Sequence, residues 1–206
     1  KDTIATLPES IQSRFRLIQN DKNVGAIANQ IAGVSHCKPD DVVMLLDGDD
    51  WLTNNNTLFH YYNDIYSQGY EFTYGSMWSV VDSIPLIAQE YPVEVKKNRS
   101  YRNHHFNWKI PYTHLRTCLA QHFLTLDVSK FKVNEQWMKS GHDNPLFYEL
   151  IEQIEPDKIY CNREIVCNYN DANPLNDYKI HGDEQTRNAN MSYTKKILIA
   201  IPTNKY

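Results

Sequence analysis

Long apolar runs, closely spaced cysteines and an excess of basic residues are all missing from this 206-residue sequence. No apolar run approaches the roughly 20 residues that a membrane-spanning helix needs. With 21 Lys and Arg against 25 Asp and Glu, the net charge is -4, so no general basic field is available to hold nucleic acid. We therefore expect neither a membrane segment in this chain nor a nucleic-acid partner.

The cysteines are few, and no two of them have the C-x-x-C spacing of a zinc site or a thioredoxin-like motif. We expect free, mostly buried thiols from a reducing compartment, with a Cys161–Cys167 bridge as the alternative. Because the start of the chain lacks the apolar core of a signal peptide, the expected location is the cytoplasm.

The composition is that of an ordinary globular domain, with 41% hydrophobic and 22% charged residues. This composition excludes collagen, long disorder and a disulfide scaffold. The length predicts about one domain.

Hydrophobic patterns predict strands that alternate with helices. Such alternation indicates an α/β fold with a mainly parallel sheet. Residues 82–111 are expected to form a long functional loop. The predicted strands cover residues 14–19, 42–46, 71–78, 158–169 and 197–201, and the predicted helices cover residues 25–36, 56–68, 114–125 and 144–154.

Three carboxylates, Asp47, Asp49 and Asp50, directly follow the continuous apolar run 42–46, which is typical of a strand buried on both faces. Open α/β sheets bind ligands at the carboxyl ends of their strands. We expect Gly48 to let the chain turn tightly, so that Asp47 and Asp49 point into one cleft. A divalent cation such as Mg²⁺, Mn²⁺ or Ca²⁺ would relieve the repulsion between these carboxylates. The alternative is an acidic turn that caps the next helix.

Asp143 is a second candidate functional carboxylate. It directly precedes the predicted helix 144–154, whose first turn contains Pro145. Backbone N–H groups and the helix dipole stabilise a carboxylate at this position. An ionised Asp143 could act as a base that takes a proton from an attacking hydroxyl. The alternative is a simple N-cap, and the neighbouring His142 is either a ligand contact or only a loop residue.

Several segments, taken in order, resemble the motifs of a glycosyltransferase of the GT-A fold, most similar to family 2. The resemblance covers about residues 10–190. The segments are residues 23–29 (N-x-G-x-x-x-N), 42–52 (a strand and the D-x-D metal motif), 72–75 (the next strand), 113–117 (an H-L-R-T segment of a viral and protist branch), 141–150 (the catalytic helix E-D-x-x-L-x-x-R-L) and 169–177 (the C-terminal motif of that branch).

The sequence departs from this family pattern in two places. The catalytic E-D is His142-Asp143 here, and the terminal R-L is Glu149-Leu150. The resemblance also implies a GT-A, Rossmann-like, mainly parallel sheet flanked by helices and lacking its first N-terminal strands. We expect residues 1–195 to form this incomplete domain and residues 196–206 to be the first strand of a following, tandem domain. The alternative is that these last residues complete the sheet by circular permutation.

The resemblance implies metal-dependent, inverting transfer of a sugar from a nucleotide-diphosphate sugar, most simply a UDP-sugar, to a hydroxyl of a glycan or protein acceptor. Asp49 would bind Mn²⁺ or Mg²⁺, Asp47 would hold the donor ribose or share the metal, and Asp143 would be the general base. Further donor contacts would come from Asn23, Gly25, Asn29, His114 and Arg116.

Aromatic and C-terminal residues are weaker candidates. Trp51 and Trp108 could stack on a sugar face, and core packing is the alternative for Trp51. Asn176, Asp177 and Lys179 could close over the donor as a flap or merely cap a turn. For His114 and Arg116, the alternative to donor contacts is a pair on a helix surface.

Two other functions stay open. One is a non-catalytic carbohydrate-binding domain of the same fold. The other is a metal-dependent phosphatase or nuclease, although Trp51 stands where the haloacid-dehalogenase motif D-x-D-x-T needs Thr.

Overall fold

The computed structural model describes residues 2–53, 57–104 and 113–174, together with residues 179, 182, 183 and 186. Strands and helices alternate through most of this part of the chain. The helices are α1 (Asp2–Ala5), α2 (Glu9–Gln12), α3 (Ala26–Val34), α4 (Leu58–Ser67), α5 (Val93–Lys97), α6 (Ala120–Leu124) and α7 (Asp143–Ile151). The strands are β1 (Val42–Leu45), β2 (Trp51–Leu52), β3 (Phe72–Ser79), β4 (Ile84–Leu86), β5 (Thr113–Leu119), β6 (Lys132–Val133), β7 (Gln136–Trp137) and β8 (Ile159–Tyr169).

The main sheet has the strand order β1-β5-β3-β8-β2, with β4 also paired to β3. Strands β1, β3 and β8 run in one direction, and β5 lies antiparallel between β1 and β3. The predicted α/β class is confirmed. The expectation of a mainly parallel sheet is wrong for the described strands, since β3 with β8 is their one parallel pairing. The reason is β5, which separates strands that would otherwise be parallel neighbours.

Most of the predicted helices and strands are confirmed, and two are wrong. The expected loop over residues 82–111 is also wrong in part, because its described part contains β4 and α5. Elements α3, β1, α4, β3, α7 and β8 lie where the patterns placed them. Residues 14–19 form no strand, although Phe15 and Leu17 alternate with arginines, because none of the described strands bonds to them. The predicted helix 114–125 is instead β5 followed by the short α6. The predicted strand 197–201 and the assignment of residues 196–206 to another domain lie outside the described residues and stay predictions.

Two apolar clusters cover the two faces of the sheet. Phe72 and Tyr74 of β3 pack with Phe147 of α7 on one face. On the other face, Leu115 of β5 packs with Leu58 and neighbouring residues of α4. The expected burial of β1 on both faces is wrong, because β1 is the edge strand of the described sheet and Val42 is 41% exposed.

The cysteines contribute to these clusters as free thiols. All four are unbridged in the structure. Cys118 and Cys167 are buried, and burial raises the pKa of both thiols. The expectation of free thiols is therefore confirmed, and the Cys161–Cys167 bridge is not formed.

A glycine sets how closely β3 approaches β5. A Cβ atom on Gly75 would lie 3.0 Å from the Leu115 carbonyl oxygen and 3.1 Å from its nitrogen. The register between the two strands also shifts between Thr73 and Gly75. A side chain at Gly75 would therefore push away the part of β5 that carries His114 and Arg116.

We predict that Gly75→Ala destabilises the protein by about 1–3 kcal/mol, because the added methyl group meets backbone atoms that cannot rotate away. Gly33→Ala is the matched control. Gly33 lies within α3 with open space around a Cβ atom, so alanine should stabilise the helix by about 0.5–1 kcal/mol. Urea unfolding of both variants measures the difference, and equal stabilities would contradict the close contact between β3 and β5.

Candidate active site

The acidic residues lie in a tight loop between β1 and β2. The Asp50 N–H donates to the Asp47 carbonyl oxygen over 3.1 Å and closes the turn. Gly48 does not adopt a positive φ, and a Cβ atom there would meet nothing, so the turn does not depend on glycine. The Asp47 carboxylate is half exposed, whereas the Asp50 side chain is only 1% exposed. The loop thus places the Asp47 carboxylate at the surface and the Asp50 carboxylate in the interior of the same site.

Strand β5 places His114 and Arg116 two residues apart, on the same face and next to this loop. A His114 ring nitrogen, Nε2, lies 3.9 Å from Asp47 Oδ2, and the other, Nδ1, lies 4.0 Å from Asp50 Oδ2. The ring also stacks on Tyr169 with centroids 5.8 Å apart. Burial, followed by the charge on Arg116, lowers the pKa of His114 to about 3. The imidazole is therefore neutral at pH 7 and can offer a lone pair.

Arg116 connects this loop to helix α7. Its Nη1 donates to Asp143 Oδ1 over 2.9 Å, and its Nη2 lies 3.3 Å from His114 Nε2. The guanidinium also lies over the ring of Phe147, 4.4 Å from its centroid. These contacts fix the guanidinium on both sides, and the interpretation of His114 and Arg116 as a helix surface pair is wrong because both are buried on a strand.

Asp143 is the first residue of α7, and its carboxylate is 42% exposed. Burial alone would raise the pKa of this carboxyl, but the positive charge of Arg116, followed by His142, holds it well below its usual range. His142, rather than Asp143, occupies the N-cap position, and its side chain does not bond to the helix. The simple N-cap interpretation of Asp143 is therefore wrong, and the group is an ionised carboxylate that solvent can reach.

Ion pairs anchor helix α7 where the family pattern has an arginine. Buried Arg102 donates to Glu149 over 2.6 Å and to Glu152 over 2.9 Å. Lys130 also donates to Glu149 over 2.6 Å. Glu149 has the opposite charge to the arginine of the family pattern, and it is paired with cations from other segments. These ion pairs hold the helix that carries Asp143 in place.

The segment after β8 donates hydrogen bonds to the acidic loop. The Asn170 N–H donates to Asp50 Oδ1 over 2.8 Å, and the Asn173 side-chain amide donates to Asp49 Oδ2. Lys179 Nζ donates to the carbonyl oxygens of Asp171 and Asn173 over 2.7 and 3.2 Å. Asp49 therefore has an amide partner, and Lys179 holds the turn that supplies it.

A divalent ion fits the group Asp47, Asp50 and His114. One ligand atom from each residue lies within 4.8 Å of the others. Among the described residues, the buried atoms Asp50 Oδ2 and His114 Nδ1 have no hydrogen-bond partner. Their separation of 4.0 Å is about twice the roughly 2.0–2.1 Å that Mg²⁺ keeps from its ligands. Two carboxylates and a neutral imidazole also suit Mn²⁺.

The sequence-predicted residues fall into two groups. The structure brings together Asp47, His114, Arg116 and Asp143, with Asp49 bonded at the edge of the same loop. Asn23, Gly25 and Asn29 lie at the start of α3. The side-chain oxygen of Asn23 accepts from the Gly25 N–H, and that of Asn29 accepts from the Asn20 amide.

The sequence does not predict Asp50 and His114 as candidate metal ligands. Asp50 lies beside the D-x-D pair, and the sequence pattern gives it no role apart from that cluster. The alternation of His114 and Arg116 with Leu115 and Thr117 is a strand signal that could have placed both polar side chains on one face. The metal assignment of Asp49 stays a prediction.

Two aromatic candidates have different outcomes. Trp51 is 47% exposed on the short β2, which argues against core packing. Trp108, like Asn176 and Asp177, lies outside the described residues.

Comparison with protein families settles the family of this chain. Residues 2–125 match the model of the family described as Glycosyl transferase family 2. The chain belongs to this family. No curated protein gives a significant match. The matched part contains α3, the acidic loop and β5, whereas Asp143 lies beyond it.

Membership in glycosyl transferase family 2 confirms the predicted GT-A fold and indicates glycosyl transfer from a nucleotide-sugar donor to an acceptor. The viral and protist branch stays a resemblance. None of the helices in the described residues is both long and apolar enough to span a bilayer.

We predict that Asp50→Asn and His114→Ala each weaken Mn²⁺ binding at least about tenfold, since each removes one ligand of the group. Asn at position 50 keeps an oxygen that can accept the Asn170 N–H. Asp40→Asn is the matched control, because Asp40 is exposed near the other end of β1. Titration calorimetry measures the affinities. Normal binding by Asp50→Asn with loss in Asp49→Asn would assign the ion to the D-x-D pair instead.

The Mn²⁺ affinity should also depend on pH. Burial, partly offset by the hydrogen bond from Asn170, raises the pKa of Asp50 to about 6. Protons therefore compete with the ion below that pH. We expect the affinity to fall as the pH drops from about 7 to about 5, and the fall should be smaller in Asp50→Asn. An affinity that is constant over this range would contradict a role for Asp50.

Proposed function

We propose that this chain catalyses metal-dependent, inverting transfer of a sugar from a nucleotide-diphosphate sugar to an acceptor hydroxyl. By the resemblance, the donor is a UDP-sugar and the acceptor a glycan or protein. The observation that carries the proposal is the ionised, solvent-accessible Asp143, held by Arg116 beside a group of side chains that fits a divalent ion.

Asp47, Asp50 and His114 would hold Mn²⁺ or Mg²⁺. When bound, the ion would neutralise the negative charge that builds up on the leaving diphosphate. The D-x-D resemblance proposes Asp49 as a further ligand. In that case Asn173 would have to release the carboxylate oxygen to which it now donates.

The donor would also contact residues outside the metal group. Arg116 and His114 lie at the junction between the acidic loop and Asp143, where they can contact a diphosphate or the donor sugar. Asn23, Gly25 and Asn29 are proposed to line the nucleotide side. The fixed guanidinium of Arg116 would orient both the donor and the base.

Asp143 is the proposed general base. Its Oδ1 atom accepts from Arg116, and within the described residues its Oδ2 atom has no hydrogen-bond partner. The acceptor oxygen forms a bond to the anomeric carbon while the bond from that carbon to the diphosphate breaks. The acceptor proton passes to Asp143, and attack opposite the leaving group inverts the anomeric centre.

Family membership supports transfer over the phosphatase or nuclease alternative. Incubation with a panel of nucleotide sugars and Mn²⁺ distinguishes all three functions. Release of nucleotide with a sugar product supports transfer, release of phosphate supports hydrolysis, and binding without turnover supports the carbohydrate-binding domain. A cytoplasmic location stays a prediction.

We predict that Asp143→Asn lowers the rate of sugar transfer by at least about 10²-fold, because an amide cannot accept the proton. Binding of the nucleotide-sugar donor should persist. Asp157→Asn, an exposed change in the turn before β8, is the matched control and should leave transfer unchanged. Nucleotide release measures transfer, and calorimetry measures donor binding. Unchanged transfer in Asp143→Asn would rule out its role as the base.

A further inference from the structure

A pocket of about 540 Å³ adjoins the proposed nucleotide side, and its lining includes two of the residues assigned there, Asn23 and Gly25. One wall is the segment that leads into α3. The other wall is the hairpin of β6 and β7 with the residue pair that follows it. The lining residues are Lys22, Asn23, Val24, Gly25, Glu135, Gln136, Trp137 and Lys139. The other six lining residues have no role in the proposed transfer, and none of the metal group or its partners Arg116 and Asp143 lines the pocket.

The two walls are packed against each other at Gly25. This glycine has a φ of 87°, and a Cβ atom there would lie 3.3 Å from the carbonyl oxygen of Met138. The Met138 N–H in turn donates to the Phe131 carbonyl oxygen over 2.9 Å. The start of α3 and the hairpin thus form a fixed frame around the pocket.

The pocket carries more positive than negative charge. Lys22 and Lys139 line it, and neither forms an ion pair with any residue that the structure describes. Glu135 is its one lining carboxylate, and the remaining polar groups are the amides of Asn23 and Gln136. Two unpaired ammonium groups against one carboxylate favour an anionic ligand, and the amides and carboxylate suit sugar hydroxyls.

Trp137 supplies an aromatic surface in this pocket. Lys132 Nζ lies 4.9 Å from the centroid of the indole ring, outside the set of lining residues. The half-buried ring thus has an ammonium group against it and also lines the pocket. An indole presents the apolar body and polar edge that a sugar ring can pack against.

The second wall continues directly into the proposed base. Lys139 is followed by Ser140, Gly141, His142 and Asp143. Four residues of extended chain reach at most about 14 Å, so Lys139 lies within that distance of Asp143. An acceptor must lie between the donor and the base, and this pocket has one wall from each side.

We infer that this pocket binds an acidic sugar residue of the acceptor, packed on Trp137 with its carboxylate or phosphate between Lys22 and Lys139. The inference rests on the proposed transfer function and names the acceptor class. The donor nucleotide is the competing occupant. Its diphosphate is already assigned to the metal group, and its uncharged base would leave both lysines unpaired.

The test measures binding of trigalacturonate to the whole chain by calorimetry, without donor and with chelator present to remove metal. The fully methyl-esterified trimer is the matched ligand, because it has the same rings without the charge. Glucose 6-phosphate, measured alongside, distinguishes a phosphate from a carboxylate as the preferred anion. The variants are Lys22→Gln, Lys139→Gln, Trp137→Leu and Glu135→Gln, with the exposed Lys97→Gln as control.

We expect trigalacturonate to bind at least about tenfold more tightly than its methyl ester. Each lysine variant and Trp137→Leu should lose about tenfold, and Lys97→Gln should bind normally. Glu135→Gln should bind more tightly, because it removes the opposing charge, and a merely structural role would not predict this gain. Equal binding of both trimers, unchanged binding in the lysine variants, or competitive displacement by UDP would overturn the inference.

The failure of this inference is distinguishable from the failure of the proposed function. If the lysine variants bind normally while Asp143→Asn loses transfer, the acidic acceptor site is wrong and the transferase stands. If Asp143→Asn still transfers sugar, the proposed base is wrong, and loss of binding in the lysine variants still supports the acidic-sugar site. If the unaltered chain transfers no sugar while the lysine variants lose binding, the site stands and its assignment to an acceptor is wrong.

Discussion

The ion pair between Arg116 and Asp143 determines how the rest of the site is arranged. It joins strand β5 to the first residue of α7 across 2.9 Å. Burial opposes the charge on Asp143, and the nearby guanidinium outweighs that penalty, so the carboxyl pKa stays low. The same guanidinium contacts His114, whose ring faces Asp47 and Asp50. One arginine thus connects the candidate base to the candidate metal group.

This arrangement depends on where β5 runs. It lies antiparallel between β1 and β3, and Gly75 allows its backbone to approach β3 closely. Because side chains alternate along a strand, Leu115 packs with α4 on one face while His114 and Arg116 reach the site on the other. The family match supports the fold and sugar transfer in general. The contacts of Arg116 with Asp143 and His114 are the basis of the proposed mechanism.

Local patterns indicated the positions that the structure brings together better than they predicted the sheet. The apolar run before Asp47 and the carboxylate at the start of α7 are both visible in the sequence, because each depends on neighbouring residues. The sequence predicts a helix where β5 lies, because the pairing of β5 depends on strands distant along the chain. The choice between Asp49 and Asp50 depends on which carboxylate faces His114, and no sequence pattern shows that contact.

The central claim is that Arg116 keeps Asp143 ionised, and carboxyl NMR titration of Asp143 tests it most directly. In the unaltered protein, the Asp143 signal should not titrate at or above about pH 4, the usual range of an aspartate. In Arg116→Gln, burial is no longer offset by the guanidinium, so the signal should titrate above that range. Asp143 signals that titrate at the same pH in both proteins would contradict the account.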